Sequence, residues 1–225
     1  MLDQPLFESL DEAGLAEIAR GGWMVEERRA TRLLARGDLL DGLFIVIEGR
    51  LKLYMLSCNG DERVLRVLQP GDSFGEAIMF NQLPSPVFVD TLSQVRLAYF
   101  PRDVISAALT ANPDFTTAML ASMSALMRNL IQDLETCCMQ NAMQRTVNYL
   151  LREIGNARVL TLPAPKAVVA STLNLSAETF SRELHRLQDG GFIEIDRRTI
   201  YLRDREGLTA LAEGAPSQLA DLTAR

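Results

Sequence analysis

The order of apolar and polar residues divides the chain into a strand-rich part and a helical part. Between about residues 23 and 100, short apolar runs alternate with polar residues and end near glycines, which predicts short antiparallel strands. Runs at 43–47, 51–54 and 64–68 show this pattern, and Asn-Gly-Asp at 59–61 predicts a hairpin turn. Because no helical period separates these strands, we expect a closed barrel or a sandwich.

A long amphipathic helix is predicted to follow. Asn112 suits the N-cap and Pro113 the first helical position, where the backbone nitrogen needs no partner. Apolar residues then recur at alternating spacings of three and four, as in a helix that pairs with a second helix. They are Leu120, Met123, Met127, Leu130, Leu134 and Cys137. The pattern favours a dimerisation helix, and packing of this helix on its own barrel is the alternative.

The last third of the chain predicts a helix-turn-helix. A helix over Lys166–Leu173 is followed by Asn174, a residue that tolerates the left-handed backbone of a tight turn. Ser176 suits the N-cap of a second helix that extends to Asp189. A glycine pair and two short apolar runs on either side of residues 196–199 then predict a β-hairpin wing.

The second of these helices has an apolar face and a separate polar face. Phe180, Leu184 and Leu187 recur at helical spacing and are expected to be buried. The polar face carries Glu178, Ser181, Arg182, His185 and Arg186. A helix-turn-helix contacts base edges in the major groove with such a face. The sequence therefore favours double-stranded DNA as a partner.

Charge is distributed unevenly, which changes what the composition implies. Taken over the whole chain, the formal net charge of −6 argues against nonspecific binding to nucleic acid. Residues 1–140 carry 12 basic and 19 acidic groups, whereas residues 141–225 carry 11 basic and 10 acidic groups. The acidity therefore belongs to the first part, and the part with the helix-turn-helix is close to neutral.

Residue counts exclude several function classes. His185 is the single histidine, so most His-dependent catalysis and metal binding has no basis, and we expect no enzyme. The cysteines Cys58, Cys137 and Cys138 are too few to hold an iron–sulfur cluster through four thiolates. No apolar run is long enough for a membrane span, and the N-terminus lacks the basic flank of a signal peptide. We therefore expect a cytoplasmic protein without a metal site.

Two groups of residues carry a resemblance to a known family. The C-terminal group is Ala170, Leu173, Ser176, Glu178-Thr179-Phe180-Ser181-Arg182, Leu184, Leu187, Gly191 and Ile193. The N-terminal group is Gly37-Asp38, Gly49, Gly71-Asp72 and Phe74-Gly75-Glu76. Together they resemble the CRP/FNR family of bacterial transcription regulators. The resemblance implies an α+β fold: a cyclic-nucleotide-binding-type β-barrel (double-stranded β-helix) over residues 1–111, a dimerisation helix over 112–140, and a winged helix-turn-helix over 141–225.

The resemblance also implies a division of roles at the DNA. In the FNR-type branch, the pattern formed here by Glu178, Ser181 and Arg182 goes with an inverted repeat similar to TTGAT…ATCAA. Arg182 can donate two hydrogen bonds to guanine, Glu178 can accept one from cytosine, and Ser181 can approach a thymine methyl or a phosphate. Further DNA contacts are expected from Ser176, Thr179, Lys166, Arg197 and Arg198, the last three to phosphates. RNA polymerase is the expected protein partner.

The effector is less well defined by the sequence. Glu76 matches the acidic residue that holds the ribose in cyclic-AMP-binding members, but Pro86-Val87 replace their phosphate-binding Arg-Ser pair, which disfavours cyclic AMP. Similarity to the Dnr-type branch implies a response to nitric oxide, with haem as a candidate cofactor. Cys137 lies on the predicted dimerisation stripe, which makes a response to redox state a second hypothesis. The candidate pocket residues are Glu76, Met79, Met123 and Met127. Two alternatives stay open: a cyclic-nucleotide-dependent regulator, and a ligand-binding module that acts on a protein partner.

Overall fold

The computed structural model describes residues 7, 10, 12–58 and 60–212, except for the side chains of residue 13 and of residues 132–139. Its Cα positions group into two units, residues 1–130 and residues 131–225. Within the described ranges, no helix combines the length and apolar content that a membrane span requires.

Two antiparallel four-stranded sheets form the barrel of the first unit. Their strand orders are β1-β8-β3-β6 and β2-β7-β4-β5. The strands are β1 (Trp23–Glu27), β2 (Arg32–Leu34), β3 (Gly42–Glu48), β4 (Leu51–Leu56), β5 (Glu62–Leu68), β6 (Ser73–Phe74), β7 (Phe88–Thr91) and β8 (Val95–Pro101). The predicted barrel is therefore confirmed. As expected, a hairpin pairs β4 with β5, although the predicted turn residue Asn59 lies outside the described residues.

Four helices accompany this barrel, and strand β3 of the first sheet is buried on both of its faces. They are α1 (Glu12–Gly21), α2 (Glu76–Asn81), α3 (Arg102–Ala111) and α4 (Pro113–Met139). Successive side chains of β3 point to opposite faces. Ile45 packs with Phe115 of α4 in one core cluster, whereas Val46 packs with Leu51 of the second sheet in another. The long helix predicted to start at Pro113 is confirmed.

A polar cluster ties three strands together on the second sheet. Tyr54 of β4 donates a hydrogen bond of 2.8 Å to Asp90 Oδ2 of β7. Arg32 of β2 donates to the Tyr54 hydroxyl at 2.7 Å and from Nε to Asp90 Oδ1 at 2.9 Å. Tyr54 is buried, and its hydroxyl both accepts a hydrogen bond from Arg32 and donates one to Asp90, as a buried polar group requires.

The second unit contains the predicted winged helix-turn-helix. Its helices are α5 (Ala142–Ile154), α6 (Lys166–Thr172), α7 (Ala177–Asp189) and α8 (Arg205–Ala212), and its strands are β9 (Val159–Thr161), β10 (Ile193–Asp196) and β11 (Thr199–Leu202). The strands form one antiparallel sheet in the order β10-β11-β9. Strand β9 was not predicted, because three residues are too short to show a period of two.

Candidate nucleic-acid interface

The N-terminus of α7 is fixed by a side-chain cap, as the sequence predicts. Ser176 Oγ accepts a hydrogen bond of 3.0 Å from the backbone N–H of Thr179. The same hydroxyl donates to Thr179 Oγ1 at 2.9 Å. The cap satisfies an amide that the helix itself leaves unpaired. Ser176 and Thr179, both predicted DNA contacts, therefore also determine where α7 begins.

The two faces of α7 are separated as expected. Phe180, Leu184 and Leu187 are fully buried. Glu178 and Arg182 are exposed, and Ser181 is partly exposed. Residues three and four positions apart lie on the same side of a helix. The three predicted base-reading side chains, at positions 178, 181 and 182, therefore share one accessible side of α7.

The turn before α7 has the predicted backbone and a brace that the sequence did not reveal. Asn174 adopts a left-handed conformation with φ 57°. Arg145 of α5 donates from Nη1 to the carbonyl oxygens of Leu173 and Asn174, each at 3.1 Å. Sequence reasoning missed Arg145 because the contact joins residues 28 and 29 positions apart. The guanidinium of Arg145 thus connects helix α5 to the turn before α7.

A buried carboxylate lies beside Arg182, the arginine predicted to contact a base. The Glu183 side chain is 5% exposed, and Arg186 Nη1 donates to its Oε2 at 3.2 Å. Arg182 Nε lies 3.6 Å from Glu183 Oε1. Sequence reasoning missed Glu183, although a signal was present: the residue occupies the i+3 position of the apolar stripe that starts at Phe180.

His185 is exposed on α7 and is engaged with its own helix. Its Nδ1 lies 2.7 Å from the carbonyl oxygen of Ser181. Because a carbonyl only accepts, Nδ1 carries the proton and donates. This places the single histidine of the chain in α7, the predicted recognition helix.

The predicted phosphate contacts lie at the start of α6 and in the wing. Lys166 is the first residue of α6 and is half-buried. Arg197 is exposed in the turn between β10 and β11, with φ 54°. Arg198 Nη2 donates to the carbonyl oxygen of Leu162 at 2.9 Å. Arg198 therefore also ties the wing to the segment after β9.

The predicted dimerisation stripe is accessible on α4. Leu120 and Met127 are each 60% exposed, and Met123 and Leu130 are also exposed. Phe115 and Met119, by contrast, are buried in the core of the first unit. The side chains of Leu134 and Cys137 lie outside the described residues. The described part of the stripe is thus an apolar surface on this single chain.

The four candidate effector residues lie in different environments. Glu76 is half-buried at the start of α2, and burial raises the pKa of its carboxyl, against the effects of a hydrogen bond with Ser73 and the charge of Arg66. Met79 is buried with Phe115 in the core. Met123 and Met127 are exposed on α4. The described structure thus places Met79 in the core and the other two methionines on the surface.

The segment that would hold a cyclic phosphate carries no charged side chain at the two positions in question. Pro86 is exposed and Val87 is partly buried. Ser85 Oγ donates to the carbonyl oxygen of Val87 at 2.8 Å, and the Ser85 backbone pairs with Gly37 and Asp38 through bonds of 2.8 Å. Among the described residues, no group of three His, Cys, Asp or Glu side chains is placed to bind a metal ion.

Comparisons with known proteins match both units. Residues 25–112 match the family model of the cyclic nucleotide-binding domain, and residues 144–211 match that of the Crp-like helix-turn-helix domain. The chain is 22% identical over 214 residues to the CRP-like cAMP-activated global transcriptional regulator of Mycobacterium tuberculosis, covering 92% of this chain and 96% of the relative. It is 27% identical over 180 residues to the nitrogen fixation regulation protein FixK of Rhizobium meliloti, covering 80% and 82%.

A solved structure supports the same fold. FixK2 from Bradyrhizobium japonicum superposes with a TM-score of 0.75 at 20% identity, covering 84% of this chain and 96% of that one. A cyclic-nucleotide-binding-type domain followed by a long helix and a winged helix-turn-helix defines a DNA-binding transcription regulator. The chain belongs to the CRP/FNR family of such regulators.

Proposed function

We propose that the protein is a homodimeric regulator that reads an inverted repeat similar to TTGAT…ATCAA and acts by binding, not by catalysis. One observation carries this proposal: Glu178, Ser181 and Arg182 share the accessible side of a capped helix whose other side is buried. A guanidinium fork matches guanine, and a carboxylate accepts from cytosine. A two-fold symmetric dimer matches the symmetry of an inverted repeat. Such a dimer would work in the cytoplasm and contact RNA polymerase.

Fluorescence anisotropy with two labelled duplexes tests this proposal. One duplex carries TTGAT…ATCAA, and the other has the same length and composition with both half-sites scrambled. We expect the wild type to prefer the first duplex, and Arg182→Ala to lose roughly 1–3 kcal/mol of that preference. Arg152→Ala is the matched control, because Arg152 is an exposed arginine of α5. Equal binding of both duplexes by the wild type would leave a module that acts on a protein partner.

The phosphate contacts are tested separately by salt dependence. Lys166, Arg197 and Arg198 would neutralise backbone phosphates without reading sequence. Replacement of one such residue with alanine should weaken binding to both duplexes similarly and reduce the slope of log affinity against log salt by about one. Arg198→Ala has a second expected effect, a loss of stability, because its guanidinium also bonds to Leu162.

We infer further that the effector is not a cyclic nucleotide. A buried phosphate needs a cation or a set of amide donors, and Pro86 and Val87 supply no side chain of this kind. Cyclic-AMP dependence is the second candidate, favoured by Glu76 and by the match to the cyclic nucleotide-binding domain. Calorimetric titration with cyclic AMP decides between them: absence of heat at millimolar ligand supports the inference, and saturable binding overturns it.

We propose nitric oxide as the signal, on the sequence resemblance to the Dnr-type branch, with redox state as the alternative that Cys137 suggests. The described residues do not fit a haem well, because His185 lies on the reading helix and Met79 is packed in an apolar core. The absorption spectrum of the protein, with and without added haem and nitric oxide, tests whether the protein binds haem and responds to nitric oxide through it. A Soret band that shifts with nitric oxide would show a haem ligand that the described residues do not suggest.

A further inference from the structure

We propose that Glu183 is a positioning residue, which holds Arg182 in the orientation that reads guanine. This inference rests on the proposed DNA-binding function. Glu183 lies outside the accessible face of α7. Its loss is expected to lower sequence specificity without lowering nonspecific affinity for DNA.

The position of Glu183 in α7 is unusual for a carboxylate. With Phe180, Leu184 and Leu187 it occupies positions i, i+3, i+4 and i+7, the buried stripe of the helix. A charged group is rarely buried unless it is paired. Here the pairing comes from α7 itself, since Arg182 and Arg186 both lie within ion-pair distance. The carboxylate thus lies between Arg182, the proposed base contact, and Arg186, which has no proposed contact with a base.

The two ion pairs have different geometry. Arg186 Nη1 makes a hydrogen bond of 3.2 Å to Oε2, which anchors the carboxylate. Arg182 approaches Oε1 with its Nε at 3.6 Å, an ion-pair distance longer than a hydrogen bond. The Nε edge of Arg182 therefore faces the helix, and the edge formed by its two terminal nitrogens is left for a base. The Arg182 side chain is 59% exposed, so that edge is accessible.

Orientation matters because a free arginine has many rotamers. An unrestrained side chain loses that freedom when it binds, and a pre-oriented one loses less. The benefit appears only where geometry is demanding, as in two parallel hydrogen bonds to guanine O6 and N7. Contacts to phosphate tolerate several orientations. Glu183 should therefore increase discrimination at the guanine and have little benefit for nonspecific binding.

The charge of Glu183 adds a second, opposite effect. A carboxylate at the DNA-facing helix repels phosphates, so its removal favours nonspecific binding. Loss of the carboxylate should thus lower discrimination while leaving nonspecific affinity unchanged or raised. Damage to the fold of α7 would instead lower both. The change in nonspecific affinity therefore distinguishes a positioning role of Glu183 from a purely structural one. Nonspecific affinity stays the same or rises in the first case and falls in the second.

Glu183→Gln tests the proposal because it keeps the size and the hydrogen bond to Arg186 and removes the charge. Affinity is measured for the operator duplex, for the same duplex with its half-site guanines replaced by adenine, and for scrambled DNA. We expect the ratio of the first two affinities to fall about tenfold, with scrambled DNA bound equally or up to about threefold more tightly. Glu153→Gln, a glutamate paired with Arg152 on α5, is the matched control and should change none of these affinities.

Each result bears on a defined statement. An unchanged ratio in Glu183→Gln overturns the positioning role, and so does a parallel loss of affinity for all three duplexes. Wild-type protein that does not prefer the operator to scrambled DNA overturns the proposed function itself. If Glu183→Gln does not fold, Glu183→Asp decides. It keeps the charge on a shorter side chain, and partial retention of the ratio supports the proposal, whereas complete retention or complete loss counts against it.

Discussion

Arg145 donates a hydrogen bond of 3.1 Å from Nη1 to the carbonyl oxygen of Asn174, the residue whose left-handed backbone turns the chain from α6 into α7. The same nitrogen donates to the preceding carbonyl, that of Leu173. Helices leave their last carbonyl groups without partners in the helix. Arg145 supplies a charged donor to the carbonyl of Leu173, the C-cap of α6, and to the carbonyl of Asn174 in the turn that leads into α7.

Replacing Arg145 with methionine should destabilise the second unit. Hydrogen bonds from a charged donor contribute about 1.5–3 kcal/mol, and we expect the free energy of unfolding to fall by that amount. Urea denaturation followed by circular dichroism measures it. Arg152→Met, at an exposed site on the same helix, is the control. Equal stability of the two variants would show that Arg145 does not brace the turn.

Gly49 should tolerate alanine much less well than Gly37 does. Both have positive φ, at 86° and 98°, so a side chain strains either backbone by about 1–2 kcal/mol. A Cβ at Gly49, between β3 and β4, would lie 2.2 Å from the carbonyl oxygen of Gln94, whereas at Gly37 it meets nothing within 4 Å. We expect Gly37→Ala to cost about 1–2 kcal/mol and Gly49→Ala about 3 kcal/mol or more. Similar melting temperatures for both variants would contradict the close packing at Gly49.

Tyr54 should make the stability of the first unit depend on pH above 10. Burial, together with its hydrogen bond to Asp90, raises the pKa of the Tyr54 hydroxyl to about 12. An unfolded tyrosine loses its proton near pH 10, so between pH 10 and 12 the native state binds the extra proton. Stability should therefore fall with rising pH, by about 1.4 kcal/mol per unit from this group. Tyr54→Phe should show a shallower decline over that window, and an equal decline in both proteins would remove Tyr54 as the cause.

Local signals account for what could be predicted of the reading helix. Ser176 and Asn174 determine the backbone of residues next to them in the chain. The N-cap and the left-handed residue can therefore be predicted from a short stretch of sequence. Strand alternation similarly indicated the barrel. Strand β9 was not predicted because its three residues are too short to show a period of two, and its pairing with β11 joins segments about 40 residues apart. The contact of Arg145 with the turn also joins distant segments and was missed for that reason.

The sequence alone does not show which apolar residues are buried. Met79, Met123 and Met127 have the same side chain, and only the packed structure separates the buried Met79 from the exposed pair. Glu183 shows the same limit for a polar residue. Its position in the apolar stripe can be read from the sequence, but its burial beside Arg182 and Arg186 is seen only in the structure.

Met127→Asp should separate the proposed dimer into monomers. Met127 is 60% exposed at the middle of an apolar stripe with Leu120, Met123 and Leu130. Two copies paired along this stripe would bury two unpaired carboxylates, and a penalty of about 3 kcal/mol weakens association by more than a hundredfold. Ala121→Asp is the control, because it adds the same charge at an exposed position of α4 away from the stripe. Sedimentation equilibrium should find the wild type and Ala121→Asp dimeric at micromolar concentration and Met127→Asp monomeric. A monomeric wild type, or a dimeric Met127→Asp, would show that the stripe is not the interface.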